Sequence, residues 1–160
     1  WESVAMVVID MSPTDITMAV NEGTSRYIFN RMRRNSNRGA APTWVEQVSR
    51  EVSGCLGEIA IARWLDKFPF SLFEDRKLGD VGAFEVRTTA YETGRLLITK
   101  DDDPMAKFLL VTLPKWDCAH IVGWLHGYEA QQDQYWDSHM RIPTYAVPQS
   151  ELRQPETLLG

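Results

Sequence analysis

Residues 78–89 read LGDVGAFEVRTT and give the clearest structural signal in the chain. They are typical of a glycine-containing turn that runs into a β-strand, with Asp80 at the turn and a second acid inside the strand. Because side chains alternate along a strand, Glu85 and Arg87 should project from one face, roughly 6–7 Å apart. Two carboxylates beside a cation suit a hard divalent metal and a phosphate. The stretch therefore predicts a site for a metal and a phosphate group.

Length and composition indicate one globular domain over residues 1–160. The chain has 160 residues, of which 44% are hydrophobic and 24% charged, enough to form a sizeable core. Its net charge of −5 argues against broad, nonspecific coating of nucleic acid and leaves a local basic face open. Two cysteines are too few for a disulfide framework. Without a long apolar run or a signal-peptide pattern, we expect a reducing, cytoplasmic setting and no membrane span.

A first long helix is predicted from about Thr14 to Arg34. Ser12 and Pro13 form a helix-start signal, and apolar residues then recur at helical spacing. The far end of this helix and the loop after it are rich in arginine. These cations either favour the helix C-terminus and face solvent, or contact phosphates, whose oxygens match the guanidinium fork. The candidate nucleic-acid-binding residues are Arg31, Arg33, Arg34 and Arg38.

A second long helix is predicted from Thr43 to about Leu65. Thr43 and Glu46 form a capping-box pattern, and an apolar stripe follows. Gly57 costs helix stability of about 1 kcal/mol relative to alanine, so we expect another backbone to approach it closely. Glu58 lies at the edge of the apolar stripe. It is either an ordinary surface glutamate or a third carboxylate at the edge of the sheet.

The remaining apolar patterns predict strands packed on these helices. The predicted strands are residues 4–9, 83–89, 95–100, 108–113, 119–125 and 141–148. The turn at Gly94 predicts that the second and third of these form an antiparallel hairpin. We expect an α/β (α+β) fold in which a central mixed sheet of about five strands is flanked by the two long helices.

Three further groups of side chains have weaker signals. The acids at residues 101–103 are typical of a solvated loop, with a metal contact from one of them as the alternative. The three histidines lack metal-ligand spacing and are expected to be structural or exposed. Tyr128, Tyr135 and Trp136 either pack in the fold or stack on bases.

The order of these motifs resembles the PD-(D/E)XK nuclease superfamily over about residues 43–125. Residues 57–60, which read GEIA, look like the helical glutamate that precedes the sheet in that family. Asp80 and the triplet at residues 85–87 look like its acid and its acid-x-lysine motif. The C-terminal part, from residue 123 to residue 148, also resembles small phage-borne members of the group.

This resemblance implies a restriction-endonuclease-like fold and Mg²⁺- or Mn²⁺-dependent hydrolysis of phosphodiester bonds in DNA, by an endo- or exodeoxyribonuclease. Asp80, Glu85 and the Val86 carbonyl would ligate the metal. Glu58 would ligate a second metal or orient its water. The resemblance further implies the host cytoplasm as the setting of a phage-encoded protein, and it leaves a homodimer open.

The chain departs from the family pattern at Arg87, where the family has lysine. Arginine stays charged and cannot act as a base, but it can brace the phosphoryl oxygens. Lys100, on the strand predicted to pair with residues 83–89, would then supply an ammonium. The alternative function is a non-catalytic module on the same fold that binds nucleic acid or protein. A third interpretation is a purely structural ion-pair cluster of Asp80, Glu85 and Arg87.

Overall fold

The computed structural model describes residues 5–32, 43–66 and 84–160, and for residues 31 and 32 it describes the backbone alone. The helices in these ranges are α1 (Pro13–Met32), α2 (Trp44–Trp64) and the short α3 (Gly127–Ala130). The strands are β1 (Val7–Asp10), β2 (Phe84–Thr89), β3 (Leu96–Ile98), β4 (Lys107–Lys115), β5 (Cys118–His126), β6 (Trp136–Asp137) and β7 (Thr144–Val147). Single 3-10 turns lie at Asp133–Tyr135, Gln149–Glu151 and Pro155–Leu158. The fold is mixed α/β, as predicted.

Both long helices begin at side chains that cap them. The backbone N–H of Asp15 donates to Ser12 Oγ at 3.1 Å, and the N–H of Ser12 donates to Asp15 Oδ2 at 2.8 Å. At the start of α2, the N–H of Glu46 donates to Thr43 Oγ1 at 3.2 Å. Each bond satisfies a donor that has no partner inside the helix. The predicted start of α2 at Thr43 is confirmed.

The described strands form two sheets. The larger sheet has four strands in the order β1-β5-β4-β2, in which β2 runs parallel to β4 and the other pairs are antiparallel. The smaller sheet has three antiparallel strands in the order β3-β7-β6. The prediction of one sheet of about five strands was therefore approximate, because four strands share one sheet and three share another.

The predicted hairpin between β2 and β3 is wrong. The chain does turn at Gly94, whose N–H donates to Tyr91 O at 2.9 Å, but β3 then pairs with β7 in the smaller sheet. A side chain at Gly94 would collide with Thr89, so the chain folds back closely over the end of β2. This turn carries the chain out of one sheet and into the other, instead of reversing it within one sheet.

The larger sheet is covered by a hydrophobic core on each face. On one face Val86, Leu109 and Ile121 pack with the apolar side of α2, and we call this the helix-side core. On the other face Phe108 and Leu110 pack with Leu96, Ile98 and Val147 of the smaller sheet, and we call this the sheet-side core. Burial on both faces explains why β4 and β5 are apolar over most of their length.

The C-terminal residues close one edge of the larger sheet. Beyond the end of β1, Trp124 of β5 exchanges two backbone hydrogen bonds of 3.1 Å with Arg153. The indole N–H of Trp124 donates to Thr157 Oγ1 at 2.9 Å. Among the described helices, none has an apolar stretch long enough to cross a membrane.

Candidate functional site

Strand β2 presents its two candidate functional side chains away from the long helices. Val86 is buried in the helix-side core, and a side chain at Gly57 of α2 would collide with Thr88 Oγ1. Val86 and Thr88 therefore face α2. Because side chains alternate, Glu85 and Arg87 lie on the opposite face of β2. The sequence predicted a close approach of another backbone at Gly57, but the group that approaches it is the side chain of Thr88.

Arg87 is held between an aspartate and an aromatic ring. Its Nη2 donates to Asp102 Oδ1 at 2.9 Å, and its guanidinium carbon lies 5.0 Å from the centre of the Phe108 ring. Asp102 is itself fixed, because its Oδ2 accepts the backbone N–H of Thr99 at 2.7 Å. Asp102 belongs to the acid run of residues 101–103, and its carboxylate binds an arginine and a backbone amide. Arg87 therefore presents its positive charge in a defined orientation.

Glu58 is buried between the two long helices. Its side chain is 7% exposed, and its two oxygens accept from Nη1 and Nη2 of Arg26, each at 2.9 Å. Arg26 also lies 3.4 Å from Glu22. Burial opposes the charge of Arg26, but the hydrogen bonds and charge of Glu58 raise the pKa of Arg26 above its ordinary value. The interpretation of Glu58 as a surface glutamate is thereby excluded.

Cys55 lies one turn before Glu58 on α2 and is fully buried. Burial and the negative charge of Glu58 outweigh Arg26 and raise the pKa of the Cys55 thiol to about 12. We therefore expect Cys55 to be inert in the native protein at about pH 8, since the thiolate is the reactive form. The partly exposed Cys118 should react, more slowly than a free thiol because its pKa is also raised by burial.

The measurement is thiol titration with a chromogenic aromatic disulfide, with and without denaturant. We expect one reactive thiol in the native protein and both in the unfolded chain. The Cys118→Ser variant should show none until it unfolds. Rapid reaction of both thiols in the native protein would contradict the packing of α2.

The other predicted site residues are placed apart from β2 or fall outside the described ranges. Lys100 Nζ lies 4.4 Å from the centre of the Trp136 ring. Lys100 follows β3, which pairs with β7, so the expectation that it lies on a strand paired with β2 is wrong. Asp80 lies outside the described residues, as do the side chains of Arg31, Arg33, Arg34 and Arg38.

The chemistry of the donors bears on whether a metal fits near β2. Within residues 5–32, 43–66 and 84–160, no three His, Cys, Asp or Glu side chains converge as metal ligands. The Glu85 carboxylate and the Val86 carbonyl are hard oxygen donors of the kind that Mg²⁺ prefers, and Asp80 would add a third. At Glu58 a dication would stand beside the Arg26 guanidinium, whose charge repels it. A second metal at Glu58 therefore does not fit, and Glu58 lies on the helix side of the sheet whereas Glu85 faces away from the helices.

Sequence reasoning missed the partners of both candidate residues. Arg26 is 32 positions from Glu58, and Asp102 is 15 positions from Arg87. One signal was present for the first pair: Glu58 lies within a run of α2 that is otherwise small or apolar, and a buried carboxylate requires a cation. Comparison of the chain with protein-family models, curated proteins and solved structures finds no match.

Proposed function

We propose that this chain is a Mg²⁺- or Mn²⁺-dependent nuclease that hydrolyses phosphodiester bonds in DNA. The observation that carries the proposal is the pairing of an acid with an oriented cation on one face of β2. Glu85 and Arg87 project from the same face of this outer strand of the described sheet, and Arg87 is held by Asp102. A carboxylate for a metal and a guanidinium for a phosphate are the two groups that such hydrolysis needs.

The residues of the site have separate roles in this proposal. Asp80, Glu85 and the Val86 carbonyl would hold the cation, which when bound lowers the pKa of a water and neutralises phosphate charge. Arg87 would brace the phosphoryl oxygens. Only its Nη2 contacts Asp102, and a guanidinium carries five N–H donors. Glu58 has no role in this proposal, because it is tied to Arg26 on the helix side of the sheet, whereas Glu85 projects from the opposite face of β2.

The wider setting belongs to the same proposal. The candidate residues Arg31, Arg33, Arg34 and Arg38 would contact the DNA backbone without reading its sequence. The proposal includes a cytoplasmic location, in the host cell if the chain is phage-encoded, and it leaves a homodimer open. Lys100 has no assigned role, since its ammonium lies over Trp136.

One observation favours the alternative of a non-catalytic module that binds nucleic acid or protein. Arg87 replaces a lysine that would lose its proton more readily, and the Asp102 contact and the Phe108 ring together account for its position structurally. An arginine fixed in this way can bind an anion without any hydrolysis.

Incubation with DNA substrates tests the proposal. Supercoiled, linear, branched and single-stranded DNA would be incubated with Mg²⁺, with Mn²⁺ or with a chelator. We expect metal-dependent cleavage by the native protein and a loss of about 100-fold or more in the Asp80→Asn/Glu85→Gln variant. A matched control is Asp133→Asn/Glu156→Gln, which makes the same chemical changes at exposed positions far along the chain.

The control should cut like the native protein. Circular dichroism would check that all variants fold alike. If no substrate is cut with either metal, or if the Asp80/Glu85 variant cuts as fast as the control, the nuclease proposal fails. Metal-independent DNA binding without cleavage would support the alternative.

A further inference from the structure

A row of aromatic and basic side chains crosses one end of the larger sheet. Phe84 of β2 is paired in register with Lys107 of β4, which is paired with His126 of β5. Phe84 packs against the helix-side core, as does Trp124 of β5. These side chains alternate with Phe108 and Leu125, which belong to the sheet-side core. The row therefore lies on the face of the sheet that carries the helices, at the end where β2 begins.

Cations lie beside the rings of this row. Lys107 Nζ lies 5.9 Å from the centre of the Phe84 ring and 5.4 Å from that of Trp124. The guanidinium carbon of Arg153 lies 4.9 Å from the centre of Trp124. Both distances to Trp124 are within the range in which a cation is attracted to the face of an aromatic ring. Basic groups are thus interleaved with aromatic ones.

The aromatic side chains also form a stack that leads out to solvent. Trp124 is 6% exposed and meets His126 edge-on, with ring centres 5.2 Å apart. His126 is stacked on Tyr128 with ring centres 5.1 Å apart and an angle of 19° between the planes. Tyr128 is 47% exposed. The stack is therefore anchored in the core at Trp124 and presents an aromatic ring at the surface.

Glu129 fixes the orientation of this stack. Its Oε2 accepts the backbone N–H of His126 at 3.0 Å and lies 3.2 Å from His126 Nδ1. Its two oxygens also accept from Nη1 and Nη2 of Arg153, at 2.9 and 2.5 Å. Because Glu129 offsets the charge of Arg153, Lys107 is the cation that gives the row its net positive charge. Rings held in this way lose little conformational freedom when a planar ligand stacks on them.

We propose that these residues form a binding surface for single-stranded nucleic acid. The surface consists of Phe84, Lys107, Trp124, His126, Tyr128 and Arg153. A base would stack on Tyr128, while Lys107 would contact a flanking phosphate. Interleaved rings and cations match a chain that alternates bases with phosphates. A duplex cannot use such a platform, because its base faces are already stacked on one another.

The position of the surface connects it to the proposed nuclease. Phe84 directly precedes Glu85, so the surface and the candidate metal ligand lie at the same end of β2, on opposite faces. A strand bound at Tyr128 and Lys107 would be led towards that end of the sheet. The binding of single-stranded nucleic acid does not depend on the proposed function. That single-stranded nucleic acid is the substrate class of a nuclease does rest on the proposed function.

Binding without metal provides the test. Fluorescence anisotropy with labelled oligo(dT) and oligo(rU) of about twelve nucleotides, in a chelator, excludes cleavage. We expect Tyr128→Ala to weaken binding about tenfold, through the loss of one stacking contact, and Tyr128→Phe to bind like the native protein. Tyr91→Ala is the matched control, because Tyr91 is 77% exposed just beyond the other end of β2. It should have no effect.

Salt dependence tests the phosphate contacts separately. Lys107→Ala should weaken binding and reduce the slope of log affinity against log salt by about 0.7, the value for one phosphate contact on a single strand. Lys115→Ala, at the far end of β4, should leave the slope unchanged. Binding of either oligo(dT) or oligo(rU) supports the inference.

Three outcomes would overturn the inference: binding of neither oligonucleotide, equal binding by Tyr128→Ala and the native protein, or tighter binding of duplex. Capture of a peptide in place of the oligonucleotides would also overturn it. A protein that binds single strands through Tyr128 without cutting DNA would refute only the nuclease. If the Tyr128→Ala variant binds single strands and cuts DNA as well as the native protein does, only the proposed surface is refuted.

Discussion

Replacing Glu58 by glutamine should lower the free energy of unfolding by about 3 kcal/mol. The carboxylate is 7% exposed, and both of its oxygens bind Arg26, whose side chain is 18% exposed. Glutamine keeps the shape but removes the charge, so the guanidinium stays buried against a neutral group. The cost is chiefly the loss of the charged partner that binds Arg26 at two points, because Arg26 cannot release its proton and its contact with Glu22 is longer, at 3.4 Å. Chemical denaturation followed by fluorescence or circular dichroism measures the loss.

Two further variants separate the ion pair from other effects. Glu156→Gln makes the same substitution at an exposed position and should change stability by no more than about 0.5 kcal/mol. Arg26→Met/Glu58→Leu removes both charges and should recover at least half of the loss, since apolar pairs of similar volume often replace buried ion pairs without cost. A loss below about 1 kcal/mol in Glu58→Gln would show that water reaches the pair.

Replacing Gly57 by alanine should lower the free energy of unfolding by about 1–3 kcal/mol, although alanine is the better helix former. A methyl group there would collide with Thr88 Oγ1 and lie 3.1 Å from Thr88 Cβ. Helix α2 would have to move away from β2. At Gly54, three residues earlier, nothing lies within 4 Å of the added carbon, so Gly54→Ala should raise stability by up to about 1 kcal/mol.

The opposite signs of these two substitutions are the diagnostic result, and thermal or chemical unfolding would show both. Thr88→Ala should partly rescue Gly57→Ala, because it removes the colliding oxygen. That oxygen is buried and has no hydrogen-bond partner among the described residues, so its removal sacrifices no hydrogen bond. Stabilisation by both glycine replacements would mean that α2 does not rest on β2 at Thr88.

The helices and the inner strands could be predicted because their signals are local. Thr43 and Glu46 cap α2 within one turn, and the apolar runs of β4 and β5 follow from burial on both faces. The pairing of strands could not be predicted in the same way. A turn at Gly94 is compatible with a hairpin and with a change of sheet, and only the packing of β3 on β7 distinguishes them.

The candidate site shows the same division. Because side chains alternate along a strand, the sequence alone predicted that Glu85 and Arg87 lie on one face of β2. The partners that determine their chemistry, Arg26 for Glu58 and Asp102 for Arg87, come from other elements and carry no local signal. The row of Lys107, Trp124 and Arg153 was missed for the same reason, since three separate segments contribute to it.

The two sheets are interleaved along the chain, and this order bears on how the protein folds. The chain visits the larger sheet at β2, the smaller one at β3, the larger at β4 and β5, and the smaller again at β6 and β7. The parallel pair of β2 and β4 can therefore close only around a segment that is itself part of the other sheet. Pairing two strands that are distant in the sequence is slow, because the chain loses loop entropy before the stabilising contacts form. Neither sheet can be cut from the chain as one continuous piece, so the ordering of one is coupled to the ordering of the other.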